Sequence, residues 1–152
     1  MTTRLHVHLS VQDLAASARF YSALFGKSPA VERSDYAKWM LDDPRLNFAV
    51  SQLGHAPGLD HLGLQVETTN DLDWLTARLR AADLAVQDRA ATTCCYARSD
   101  KGWVHDPQAI PWEAFVTHGP ATTYGIQRAA RDNSTGACCA PAAPGAASTS
   151  SI

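Results

Sequence analysis

Two histidines and one glutamate are the residues whose types and spacing most suggest chemistry. Leu5-His6-Val7-His8-Leu9-Ser10-Val11 repeats as Asp60-His61-Leu62-Gly63-Leu64-Gln65-Val66, with His6 and His61 superposed at an offset of 61 − 6 = 55. Both segments alternate apolar with other residues, the period-2 pattern of a strand. Repeats packed about a twofold put equivalent residues at equivalent places, so His6 and His61 should face each other. Glu113, in Trp112-Glu113-Ala114-Phe115, belongs to the last strand of the second half. Its counterpart in the first half falls close to Asn47, a poor ligand. Two histidines and one carboxylate leave coordination positions open, which suits non-haem Fe(II) and oxygen chemistry; Mn(II) and other divalent ions fit as well. A lone strand histidine is more often structural, and the matched positions are what single out this pair. His8 shares a strand face with His6. It stands either as the ligand in place of His6 or as a partner supporting the ligands.

The second candidate is a pair of adjacent thiols, Cys94-Cys95, in Thr92-Thr93-Cys94-Cys95-Tyr96-Ala97-Arg98-Ser99-Asp100-Lys101. Neighbouring Cα atoms are about 3.8 Å apart, so a disulfide between them is strained and two thiols are the better reading. Paired thiolates chelate soft, thiophilic centres such as trivalent arsenic or cadmium. The plainer alternative is two small buried side chains. A second pair, Cys138-Cys139, reads as an accessory capture site on a tether.

These residues need elements to carry them. Leu14, Ala18, Tyr21 and Phe25 follow a helical spacing, with Asp13 at the N-cap and Gly26 past the C-terminus. Leu72, Leu75, Leu79 and Ala82 do the same, with Asn70 at the N-cap. Short strands are predicted over 28–32, 36–41 and 46–52 after the first helix. After the second they fall over 84–88, around 102–105, and over 111–117. The unit is βαβββ, twice. Residues 54–58 link the halves, and 90–101 is an insertion that reads as a long, polar lid loop.

The chain has 152 residues, and its 13 Lys+Arg against 15 Asp+Glu argue against nucleic-acid binding. No apolar run reaches the roughly 20 residues of a membrane span. The start lacks an apolar signal region, so a cytoplasmic protein is expected, where thiols stay reduced. One domain is predicted over 1–125, in modules 1–55 and 56–125. Residues 126–152, rich in Ala, Pro and Ser, read as a disordered tail.

His6…Val11-Gln12-Asp13-Leu14…Phe20-Tyr21…Leu24-Phe25-Gly26, His61…Val66 and Asp106-Pro107…Glu113 together resemble the vicinal-oxygen-chelate superfamily over residues 4–118. That superfamily includes glyoxalases, fosfomycin-resistance proteins and extradiol dioxygenases. The resemblance implies an α+β fold, with two tandem βαβββ modules forming a cupped mixed sheet around a metal site. The family's usual glycine in the last hairpin turn is replaced, here by Ala109. The stretch from Thr92 to Tyr96 with Asp100-Lys101-Gly102-Trp103-Val104, and the late Cys-Cys, are similar to the carbon–arsenic lyases and cadmium-induced proteins of that superfamily. Some of these relatives carry Gln at the position of His6. The resemblance implies a non-haem Fe(II)-dependent dioxygenase, with O2 as co-substrate, that cleaves the carbon–arsenic bond of methylarsenite or an aromatic As(III) compound to give arsenite and organoarsenical resistance. His6, His61 and Glu113 would hold the iron, or Mn, Ni, Co or Zn in its place. Cys94 and Cys95 would bind the small-molecule arsenical. Tyr96 and Lys101 would shape or close the loop, and Lys101 would stabilise developing negative charge. The alternatives are a non-enzymatic cadmium- or arsenite-binding protein, and another metal-dependent glyoxalase- or dioxygenase-type enzyme. Monomer and homodimer are both compatible, since both modules lie in one chain.

Overall fold

Side chains alternate between the two faces of a strand, which separates the helix-covered cores from the buried polar residues of the other face. The structure, a computed structural model, describes residues 1–123. The first module runs β1 (Thr3–Ser10), α1 (Leu14–Phe25), β2 (Val31–Arg33), β3 (Tyr36–Asp42) and β4 (Arg45–Ser51). The second runs β5 (Gly58–Val66), α2 (Thr69–Ala81), β6 (Gln87–Cys94), β7 (Ala97–His105) and β8 (Pro111–Pro120). They form one curled mixed sheet in the order β2-β3-β4-β1-β5-β8-β7-β6. The order is symmetric about the antiparallel β1–β5 seam, and each module adds its last strand parallel to its first. The two expected βαβββ units are therefore present.

Both helices cover the outer face, and each module has its own core there. Under α1, Leu14 and Ala18 meet Ala37, Trp39, Leu41, Phe48 and Val50, with Tyr21 and Phe25 packed alongside. Under α2, Leu72 and Leu75 meet Val66, Ala114 and Val116. Burying a side chain of this size contributes roughly 1.5–3 kcal/mol, so each module anchors its own helix. No helix among the described residues is long and apolar enough to cross a membrane.

The helix ends follow local chemistry. Asp13 accepts from the Ala16 amide, and Gly26 closes α1 with φ +62°, both as expected. For α2 the expected N-cap is corrected from Asn70 to Thr68, whose hydroxyl accepts from the Asp71 amide. Thr68 and Asp71 stand three apart and bond reciprocally, Thr68 also donating to the Asp71 carboxylate. That is the spacing of a capping box, and it starts the helix two residues earlier.

The insertion is also corrected. Residues 90–101 do not form a loop: they lengthen β6 and β7 into a hairpin closed by the Cys94–Ala97 pair. Cys95 and Tyr96, the two turn residues, have φ +55° and +58°. This is the left-handed pair of a type I′ turn, usually filled by Asn-Gly. Each non-glycine residue held there costs about 1–2 kcal/mol. The expected β2 shrinks to Val31–Arg33. Ala109 sits in the turn before β8 with φ +64°, the conformation that would favour the family's glycine. The tail and Cys138-Cys139 lie outside the described residues.

Candidate functional site

The inner, concave face has the opposite character. It carries the buried polar residues His6, His8, Ser10, Asn47, Ser51, His61, Ser99, Lys101 and Glu113. Direct cross-strand partners point to the same face, so the ladders lay these residues out in rows. One row runs Met40, Asn47, His6, Gly63, Glu113 and Trp103. The next runs Lys38, Ala49, His8 and His61.

The seam brings the repeat histidines together as expected. His6 Nε2 and His61 Nε2 stand 3.2 Å apart. Glu113 Oε1 lies 3.3 Å from each. The local twofold exchanges the pair His6–Gly63 with the pair His8–His61. The half-one counterpart of Glu113 is then Ala49, one same-face step from Asn47. Turn length explains the shift: Asp43-Pro44 alone joins β3 to β4, whereas residues 106–110 join β7 to β8.

Each group is held from behind. His6 donates its Nδ1–H to the Asn47 carbonyl at 3.0 Å. His61 donates its Nδ1–H to Asp60 at 2.6 Å. Both therefore turn Nε2 towards Glu113. Lys101 donates to Glu113 Oε2 at 2.8 Å, leaving Oε1 for the histidines. The expected lid position of Lys101 is thus corrected: it lies in β7, 6 % exposed, against the carboxylate. Burial pushes His6 down to about 4, so it is neutral at physiological pH. Burial also opposes the charge of His61, but its bonds to Asp60 and Glu113 outweigh that and hold its pKa up. Burial favours protonated Glu113, yet Lys101 and then His61 hold it well below the usual carboxylate range.

Two imidazole nitrogens and a carboxylate oxygen within 3.3 Å need a positive charge among them, supplied by a proton on His61 Nε2 or by a metal ion that displaces it. Ligands about 2.1 Å from one ion are about 3.0–3.4 Å apart in octahedral or tetrahedral geometry. The observed spacing fits, and so does the donor chemistry: nitrogen and carboxylate suit first-row divalent ions.

Glu113 reaches this place because Gly63, its ladder partner, has no side chain. A Cβ on Gly63 would stand 2.6 Å from the Glu113 carbonyl oxygen and 2.7 Å from its Cγ. Gly63→Ala is expected to cost about 1–3 kcal/mol of stability. Its urea midpoint should fall and its affinity for Co(II) should weaken together. An unchanged midpoint would show that the strand yields freely.

The cysteines lie at the hairpin tip. In a regular strand adjacent side chains point to opposite faces, so two neighbouring cysteines cannot converge. The left-handed backbone at Cys95 breaks that alternation, and the two sulfurs come within 3.3 Å. The tip packs across the cup onto the first module, where Cys94, 2 % exposed, meets Tyr36 and Ala49. Tyr96 extends the same contact. Its hydroxyl donates to Asp35 at 2.6 Å, its ring lies 5.8 Å from Tyr36, and Arg33 stacks over it at 5.5 Å. The contacts of Tyr96 thus latch the hairpin rather than reach Glu113. Ala49 links the tip to the histidines, since it is also the ladder partner of His8.

Residues 3–114 match the family described as the Glyoxalase/Bleomycin resistance protein/Dioxygenase superfamily. The chain belongs to that superfamily. The trivalent organoarsenical cleaving enzyme of Thermomonospora curvata is 40% identical to it over 147 residues, covering 95% of this chain and 93% of the relative. The cadmium-induced protein CadI of Mycobacterium tuberculosis is 35% identical over 141 residues, covering 90% and 93%. Among solved structures, the Mn(II)-bound glyoxalase of Novosphingobium aromaticivorans aligns with a TM-score of 0.57 at 18% identity, over 82% of this chain and 43% of that one. That likeness is one of fold. As a superfamily member, the chain has the curled eight-stranded sheet and two helices of the vicinal-oxygen-chelate fold.

Sequence reasoning did not find Asp60, Lys101's contact with Glu113, Gly63 or Ser51. Asp60 beside His61 was a readable signal, since an acid next to a histidine can hold its ring. The others depend on strand register.

Proposed function

We propose that this protein cleaves the carbon–arsenic bond of trivalent organoarsenicals, with a divalent ion held by His6, His61 and Glu113. The observation that carries the reading is the convergence of two imidazole Nε2 atoms and one charged carboxylate, all buried, on one face. The 40% identity to an organoarsenical cleaving enzyme over nearly the whole chain supports the substrate class. Fe(II) with O2 is the pairing we favour. Bound there, the ion would supply redox chemistry and open positions for a small molecule.

The chain's own residues do the rest. Cys94 and Cys95, as thiolates, hold the arsenic. With bonds of about 2.3 Å, as for thiolate on a soft ion, sulfurs 3.3 Å apart subtend about 90° at one atom. That angle suits the pyramidal geometry of trivalent arsenic. The latch through Tyr96 and Asp35 fixes the hairpin, and so orients the organic group inside the cup. Lys101 keeps Glu113 ionised and aimed, and Asp60 keeps the Nε2 of His61 turned inward. Burial of the face excludes bulk water. The site is complete within one chain.

The test is direct. Anaerobic protein loaded with Fe(II) is given methylarsenite, then air, and arsenic is speciated. Arsenite should appear only with protein, iron and oxygen together. Its absence with iron bound would leave the second reading, sequestration of a soft ion, which the 35% identity to a cadmium-induced protein favours.

A further inference from the structure

The two nitrogens of an imidazole are linked: what one does fixes what the other can do. In His6 and His61, Nδ1 is tied to a carbonyl and a carboxylate, which leaves Nε2 facing the site. His8 shows the same arrangement with the nitrogens exchanged. Its Nε2 lies 2.9 Å from Ser51 Oγ, itself fully buried. Its Nδ1 is buried and has no hydrogen-bond partner. A buried polar atom left without a partner costs about 1–3 kcal/mol, so a fully enclosed imidazole in this state calls for an occupant. A ring nitrogen of His8 lies within 4.8 Å of ring nitrogens of both His6 and His61. His8 is also the direct cross-strand partner of His61, their ring centroids 4.8 Å apart.

We propose that His8 Nδ1 is a further ligand of the ion at this centre, which is then three histidines and one carboxylate rather than two and one. The proposal rests on the metal-centre reading above and adds one residue to it. Ser51 holds the ring by accepting the Nε2–H, the part that Asn47 and Asp60 play for the other two histidines. Four protein ligands leave an octahedral ion two open positions instead of three. That suits a substrate carried by cysteines, because the ion need not also chelate it.

Co(II) is the probe, bound to the full chain and observed by X-ray absorption, which counts coordinated imidazoles. Wild type should show three. His8→Ala should show two, with Co(II) affinity at least about 10-fold weaker. His8→Phe, which fills the volume without a donor, should behave the same, with near-ultraviolet circular dichroism reporting that the fold is intact. Ser51→Ala should retain three imidazoles and bind Co(II) about 10-fold more weakly. Two imidazoles in wild type would overturn the role of His8. So would unchanged affinity in both His8 variants. If Glu113→Gln still loosens Co(II) in that case, the centre formed by His6, His61 and Glu113 stands and only the added ligand falls. No Co(II) bound to wild type would overturn both readings. Should neither His8 variant fold, the wild-type imidazole count decides alone.

Discussion

Glu113→Gln is expected to lower arsenite release by about 100-fold or more while leaving arsenical binding in place. Removing even a supporting partner of a metal ligand costs about 10–100-fold in affinity or activity, and Glu113 is proposed as a ligand itself. The amide keeps the volume but loses the charge that faces His6 and His61. It also removes the charge that pairs with the buried Lys101 ammonium at 2.8 Å, and breaking a buried pair in this way costs about 3–5 kcal/mol. The variant should therefore unfold earlier as well. Arsenic speciation after a single aerobic incubation measures the first effect, and a thermal scan the second. Wild-type release from a variant that binds no iron would show that the reaction does not use this centre. Glutamine is preferred to alanine because it avoids a cavity beside Gly63.

Cys94→Ser and Cys95→Ser should each weaken methylarsenite binding by about 100-fold or more. A serine hydroxyl matches the thiol in shape, yet it is a hard, protonated donor with little affinity for a soft centre. The hairpin and its latch to Asp35 should persist in both variants, so the loss is chemical. Arsenic retained after gel filtration measures it. If one variant binds normally and the other does not, arsenic is held through one sulfur. If both bind normally, the thiols are not the site. Combined with Glu113→Gln, these variants separate holding the substrate from breaking its bond.

Much of this was legible in the sequence because it depends on pattern. Period-2 and helical spacings gave both helices and most of the strands, although β6, expected over 84–88, runs Gln87–Cys94. The repeat placed His6 opposite His61, and Glu113 fell beside them. What was missed depends on register or on an energetic exception. Lys101 read as a residue of the lid loop because nothing local shows that its ladder neighbour is Phe115 and that Glu113 lies within reach. The hairpin read as a loop because Cys95-Tyr96 is a poor sequence for a type I′ turn. The start of α2 was displaced because Asn70 and Thr68 are both good caps, and only the Thr68–Asp71 reciprocity chooses between them. Ser51 carries no signal at all. It matters only through its contact with His8.

The seam has a consequence for how the centre forms and fails. Each module has a core beneath its own helix. Besides the hairpin latch, what they share is the group of candidate donors, with His6 and His8 on one side of the β1–β5 seam and His61 and Glu113 on the other. A chain that has folded both halves but not yet zipped them together has two half-sets, neither able to keep an ion. Capture of the ion and closure of the seam are then one event, and so are its loss and the parting of the halves. An ion bound across that line works as a clasp: the more tightly it is held, the more slowly the two modules come apart.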